Sequence, residues 1–266
     1  MIGNNILQGV PNFRDIGGME TADGRRIRPH RLLRGGHLAD LTEQDRERLS
    51  GEFGLRTVVD LRTTGERSRK PDQVLPGVTY LHCPIFDNPA EGVTREEQIP
   101  ADPVRSAMEM ARHMEGQARE RMIGLYSMFF EEHGIAHFRE FFRILLTQEE
   151  GAVLWHCTMG KDRCGTAAVL LETALGVPME TVLADYLYTN ERVRPLTEDI
   201  IARARLLTDD EALFEQMRIM DSADTAFLNA ALDKAAAISG SLDVFLTEQL
   251  DLTPANRARL RELYLE

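Results

Sequence analysis

The stretch Trp155-His156-Cys157-Thr158-Met159-Gly160-Lys161-Asp162-Arg163-Cys164-Gly165 gathers a thiol, a lysine, a carboxylate and an arginine between an apolar run and a second apolar segment. The run before it, Ala152-Val153-Leu154-Trp155, reads as a buried strand, and the residues after Gly165 read as a helix. A loop that enters a helix presents unpaired backbone N–H groups, and the helix dipole adds to their attraction for an anion. Such a loop holds a phosphate without a metal. The same N–H groups, with the cations of Lys161 and Arg163, would favour Cys157 as a thiolate nucleophile. Arg163 follows Cys157 by six positions, which lets the loop wrap once and return a planar, bidentate donor to two phosphate oxygens. The expected chemistry is attack by sulfur on the phosphorus of a monoester, with Thr158, Met159, Gly160, Lys161, Asp162 and Arg163 around the phosphate. His156, beside the nucleophile, is expected to orient the loop.

The elements that must position this loop are legible in part. Phe13-Arg14-Asp15 and Leu32-Leu33-Arg34 read as short strands around a turn at Asp23-Gly24, and Thr42, with Asp45 three positions on, caps a helix running to about Phe53. Thr57 to Leu61 and Thr79 to Cys83 read as further strands. The acidic, proline-bearing composition of residues 88–102 reads as a surface loop, and helical spacing rich in methionine starts at Pro103, so 88–132 is expected to be an insertion or lid. Phe138 to Leu146 continues as helix. The helix after Gly165 should stop at Gly176-Val177-Pro178, and the remainder reads as helices, with a terminal pair over Leu242 to Leu250 and Asn256 to Tyr264.

A chain of 266 residues that is 43% hydrophobic can bury a sizeable core, and one domain over 1–266 is the simplest expectation. The net charge of −12 excludes a general nucleic-acid or membrane-surface binder, so attraction for an anionic substrate must be built locally. Apolar runs such as Ala167 to Leu171 fall far short of the roughly 20 residues a membrane span needs, and the N-terminus lacks signal-peptide character. Cys83, Cys157 and Cys164 are an odd set, which fits a reducing compartment, and a cytoplasmic location is expected.

The loop spacing resembles the Cys-x5-Arg signature of protein tyrosine and dual-specificity phosphatases, and the string His-Cys-x-x-Gly-Lys-Asp-Arg-x-Gly is similar to the bacterial atypical branch of that family. Asn12-Phe13-Arg14-Asp15 with Gly17-Gly18, Asp60-Leu61-Arg62, Asp185-Tyr186 with Asn190, and Leu260 to Tyr264 extend the resemblance over nearly the whole chain. It implies an α/β fold with a short, mainly parallel sheet flanked by helices and Cys157 at the carboxyl end of a central strand. It implies a two-step phosphatase reaction through a cysteinyl phosphate, with no cofactor and with phosphorylated protein or phosphoinositide as substrate. Asp162 is the first general acid to expect, Asp87 the second, and Lys161 resembles the lysine of members that accept inositol phospholipids. Where most members carry Thr or Ser after the arginine this chain has Cys164, which suggests a slow second step or a reversible Cys157–Cys164 disulfide, with simple packing as the plainer reading.

Other readings fare less well. The pairs His82-Cys83 and His156-Cys157 suggest zinc, yet adjacent strand residues point to opposite faces. Gly160-Lys161 lacks the first glycine and the Ser or Thr of a nucleotide-binding loop. Sulfur-transfer loops are usually shorter, and arsenate reducers of this type place the cysteine near the N-terminus. A phosphate-binding module without turnover stays open. Arg14, Asp15, Asp60, Arg62 and Glu66 are expected to form ion pairs behind the loop.

Overall fold

Period-two alternation in the strands decides the architecture, because each strand sends successive side chains to two different cores. The computed structural model describes residues 7–86 and 102–266. Its sheet has five strands, β1 (Arg14–Asp15), β2 (Leu32–Gly35), β3 (Leu55–Asp60), β4 (Thr79–His82) and β5 (Ala152–His156), in the order β1-β2-β5-β3-β4. All neighbours are parallel except β1 and β2. Leu32, Val59, Val153 and Trp155 enter the larger core, whereas Leu33, Val58 and Leu154 enter a smaller one on the opposite side. The α/β fold with a short, mainly parallel sheet is as the sequence implies, and β5, which delivers Cys157, is the central strand.

Helix α1 (Glu43–Ser50) starts with a full capping box, in which Thr42 and Asp45 satisfy each other's backbone N–H. It ends at Gly51 rather than near Phe53, since Gly54, at φ 57°, turns the chain into β3. Helix α2 (Thr64–Arg69) opens on a second capping box, between Thr63 and Glu66. Beyond β4, α3 (Pro103–His113), α4 (Ala118–Met128) and α5 (Glu132–Thr147) lead to β5. The first part of the segment read as a lid, up to residue 101, lies outside the described residues, as does Asp87.

Helix α6 (Asp162–Leu175) follows β5, and Gly176, at φ 89°, terminates it. It starts at Asp162, earlier than the reading after Gly165. Arg163 therefore stands on its first turn, carried by a helix instead of a loop. Helix α7 (Met179–Ala204), whose Asp185 and Thr189 meet Arg14 and Asn12, comes next, followed by α8 (Glu211–Asp221), α9 (Thr225–Ser239), α10 (Leu242–Glu248) and α11 (Pro254–Tyr264). Residues of α3, α8 and the end of α7 form a third apolar cluster, with Met108, Ile201, Phe214 and Met217 buried in it. Among the described residues no helix is long and apolar enough to cross a membrane.

Candidate active site

The loop from Cys157 to Lys161 is held by its carbonyl groups. Nδ2 of Asn12 donates to the Gly160 carbonyl at 2.8 Å and Nη2 of Arg34 to the same oxygen at 3.2 Å. The His37 N–H donates to the Thr158 carbonyl at 3.1 Å, and Nδ1 of His156 lies 3.2 Å from the Cys157 carbonyl. In a trans peptide the N–H points opposite to the preceding C=O. With the carbonyls of residues 157, 158 and 160 tied to the scaffold, the N–H groups of Thr158, Met159 and Lys161 face the other way, as an anion-binding nest requires.

Two glycines permit this wrapping. Gly160 takes φ 67°, and a Cβ there would lie 2.4 Å from the Gly35 carbonyl carbon; a Cβ on Gly36 would lie 2.8 Å from the Thr158 carbonyl oxygen. Gly160→Ala is therefore expected to lower stability by more than the about 1–2 kcal/mol of the left-handed conformation alone, since the backbone contact adds to it. Thermal melting with and without inorganic phosphate checks this, and the stabilisation by phosphate should be lost as well.

Arg163 is fixed by Glu66. Its Nη1 and Nη2 donate to Oε2 and Oε1 of Glu66 at 2.6 and 2.7 Å, and the Thr158 hydroxyl donates to Oε1 at 2.6 Å. Burial alone would raise the Glu66 carboxyl, but Arg163, the Thr158 hydroxyl and the Thr63 N–H outweigh it and hold the group well below the usual carboxylate range. One carboxylate thus spans the beginning and the end of the loop.

The supporting charges sit in two clusters. Behind the loop, Asp185 accepts from Nε of Arg14 at 2.7 Å and from Nη1 of Arg34 at 2.6 Å, and all three side chains are buried. Beside it, Asp60 and Asp72 both accept from Arg62 at 2.8 Å, and His156 places Nε2 3.1 Å from Asp72. Asp60, Asp72 and His156 bring ligand atoms within 4.8 Å of one another. Because Arg62 already occupies both carboxylates, this is a charged network in which His156, just before the loop, reaches Asp72 in the segment after α2. Asp15, by contrast, accepts the N–H groups of Gly17 and His30 and serves its own turn.

Lys161, at the end of the loop, and Asp162 and Cys164, on the first turn of α6, meet partners from other elements. The Lys161 side chain is buried, with Nζ donating to the carbonyls of Met220 and Ser222 at 2.5 and 3.1 Å and lying 2.9 Å from Oδ1 of Asp162. It clasps the end of α8. Asp162 also accepts from the Tyr126 hydroxyl at 2.8 Å, which in turn accepts from Tyr186 at 3.0 Å. Cys164 is fully buried, its Sγ donates to the Trp155 carbonyl at 3.6 Å, and burial pushes its thiol up to about 11. That setting suits packing better than redox exchange, because a protonated thiol is a poor nucleophile. Cys157 itself is buried at the end of β5, and all three cysteines are free.

Sequence reasoning did not single out Arg34, His37, Asp72 or Tyr126. Tyr126 stands in a methionine-rich stretch that carries no signal. Arg34 gives one hint, a charged residue inside an otherwise apolar strand, where a buried cation demands a partner.

The profile of the tyrosine phosphatase family matches residues 6–266. A Cupriavidus necator protein, provisionally named a tyrosine-protein phosphatase, is 32% identical over 96% of this chain and 86% of its own length. The triple specificity protein phosphatase PtpB of Mycobacterium tuberculosis is 27% identical over 95% of this chain and 96% of its own. A tyrosine-protein phosphatase of Nostoc commune is 28% identical over 58% of this chain and 47% of its own. The tethered Cys157 loop after a central parallel strand and the match over nearly the entire chain agree, and the chain belongs to the tyrosine phosphatase family and is a phosphatase.

Proposed function

We propose that this phosphatase hydrolyses phosphomonoesters of the phosphotyrosine class with Cys157 as nucleophile and Arg163 as phosphate clamp. The sulfur attacks phosphorus and forms the S–P bond as the P–O bond to the leaving group breaks, and Asp162 gives the leaving oxygen its proton. Water then attacks the cysteinyl phosphate, releases inorganic phosphate and restores the thiolate, and Asp162 takes up the proton. The loop amides and Arg163 stabilise the charge on the equatorial oxygens throughout. The observation that carries this reading is the outward tethering of the loop carbonyls while Glu66 holds Arg163 on the first turn of α6. The reading keeps the chain in the cytoplasm, where the Cys157 thiol stays reduced.

Lys161 bears on the substrate class. Its Nζ is occupied by two carbonyls and Asp162, which favours a small or flat phenolic ester over an inositol phosphate that would need this ammonium. The triple-specificity name of one relative makes a direct comparison worthwhile. Steady-state rates on a phosphotyrosyl peptide, a phosphoseryl peptide and a soluble phosphoinositide, in EDTA and reductant, test the proposal. The phosphotyrosyl peptide is expected to give the highest kcat/KM, and activity is expected to persist in EDTA. Phosphate binding without turnover of any of the three would identify a recognition module instead.

Asp162→Asn is expected to lower kcat by about 10²–10⁴-fold on an alkyl leaving group, which needs a proton, and far less on nitrophenolate, which does not. Asp87→Asn provides the comparison. Were Asp87→Asn to show that leaving-group dependence and Asp162→Asn not, the acid would be Asp87.

A further inference from the structure

The cluster behind the loop has one member that the mechanism does not use. Glu172, on the third turn of α6, is fully buried, and neither of its oxygens has a donor among the described residues. The charged groups that act on it are Arg14, Arg34 and the Asp185 carboxylate that accepts from both, itself an acceptor with no proton to give. A carboxyl buried without a donor cannot stay ionised beside a second buried carboxylate, and one of the two must carry the proton. Asp185 holds the ion pairs to Arg14 and Arg34, so the proton falls to Glu172.

We propose that Glu172 is a neutral carboxylic acid that donates its proton to Asp185, and that this leaves the Arg14–Arg34 pair with one uncompensated positive charge directly beneath the phosphate-binding loop. The groups that face Glu172 are Arg14 from β1, Arg34 from β2 and Asp185 from α7, so the count is two cations against one anion. Cys164, facing the same pair from α6, adds no charge, since its thiol is pushed up to about 11. Burial, and then the charge of Asp185, pushes the Glu172 carboxyl well above its ordinary value. Arg34 passes the excess charge to the site by its bond to the Gly160 carbonyl at 3.2 Å. A buried cation so placed attracts a phosphate dianion without touching it, and water screens it little. A chain whose net charge is −12 needs such local attraction.

The second half of this inference rests on the proposed phosphate chemistry of the loop; the first half does not. The sign of the first half is fixed by linkage. Between the ordinary Glu value near 4.5 and the raised folded value, the native state holds a proton that the unfolded state has released, so stability falls as pH rises. Glu172→Gln keeps a neutral hydrogen-bond donor and removes this dependence. Urea unfolding of the full chain and of this variant should show the wild-type unfolding constant, relative to the variant's, rising by about tenfold per pH unit above about pH 5.5 until the raised folded value is reached. A ratio flat with pH would overturn the shared proton.

Inorganic phosphate is the probe for the second half. Arg34→Met should weaken its competitive inhibition by about tenfold and Arg34→Lys should restore most of it, because one charge is removed and then returned. Inhibition in Glu172→Gln that is tighter by about tenfold or more would show that an ionised glutamate had been neutralised, and would overturn the proposal. Equal inhibition in a folded Arg34→Met would overturn the electrostatic role while leaving the shared proton standing.

Discussion

Turnover of an aryl phosphate is expected to fall by about 10⁴-fold or more in Cys157→Ser, the scale on which loss of a nucleophile acts in covalent catalysis. A serine hydroxyl in place of the thiol stays protonated at neutral pH, and the Glu66 carboxylate, engaged by Arg163 and Thr158, is not available to it as a base. Binding should survive. The loop amides, Arg163 and the tethers to Asn12, Arg34 and His37 do not involve the sulfur, so calorimetry should find inorganic phosphate bound with affinity near that of the wild type. Retained hydrolysis in this variant, with a purity control against contaminating phosphatase, would remove Cys157 from the reaction.

The second large effect belongs to the Arg163–Glu66 pair. Arg163→Lys keeps the charge and loses the planar fork, so it cannot face Glu66 with two donors and offer two more to phosphate. The expected loss in kcat is about 10²–10³-fold, comparable to removing one donor from an oxyanion site. Glu66→Ala acts differently. It leaves the guanidinium without its counter-charge at a site where the side chains are 12% and 18% exposed, and removes the acceptor of the Thr158 hydroxyl. Removing one partner of a buried pair typically costs about 3–5 kcal/mol, and the residual exposure here points to the lower end. Both variants can be resolved by measuring kcat, KM and thermal midpoint together: Arg163→Lys should move kcat far more than stability, and Glu66→Ala should move both. Because the Glu66 carboxyl is held below its ordinary value, the pair's contribution is present above about pH 4.5 and is lost only as pH falls through the depressed folded value. Activity changes between about pH 5 and 8 are then not due to Glu66.

Much of the scaffold was legible because strands β2 to β5 are β-branched or apolar runs whose alternation feeds two cores, and because Thr42 and Gly176 mark helix ends by local chemistry. The loop was legible because its residue types are concentrated in one stretch. What was not legible depends on contacts across the chain. Asn12 meets Gly160, and Tyr126 meets Asp162, at separations that no local pattern encodes. The start of α6 at Asp162 was missed because the glycine and charge content of the loop hides a helical first turn, which decides where Arg163 points. The place of Lys161 in the loop and the resemblance point to the phosphate, whereas the partners of its Nζ, the carbonyls at the end of α8, belong to a distant element where a cation also meets the negative end of the helix dipole.

The central claim is that the phosphoryl group passes through the Cys157 sulfur, and trapping that species tests it most directly. Rapid mixing with excess aryl phosphate, acid quench within the first turnover and peptide mapping by mass spectrometry should find one added phosphoryl group on the peptide that contains Cys157, decaying as substrate is exhausted. Phenol release in the first turnover with that peptide unmodified at every quench time, or with the phosphoryl group on another residue, would contradict it.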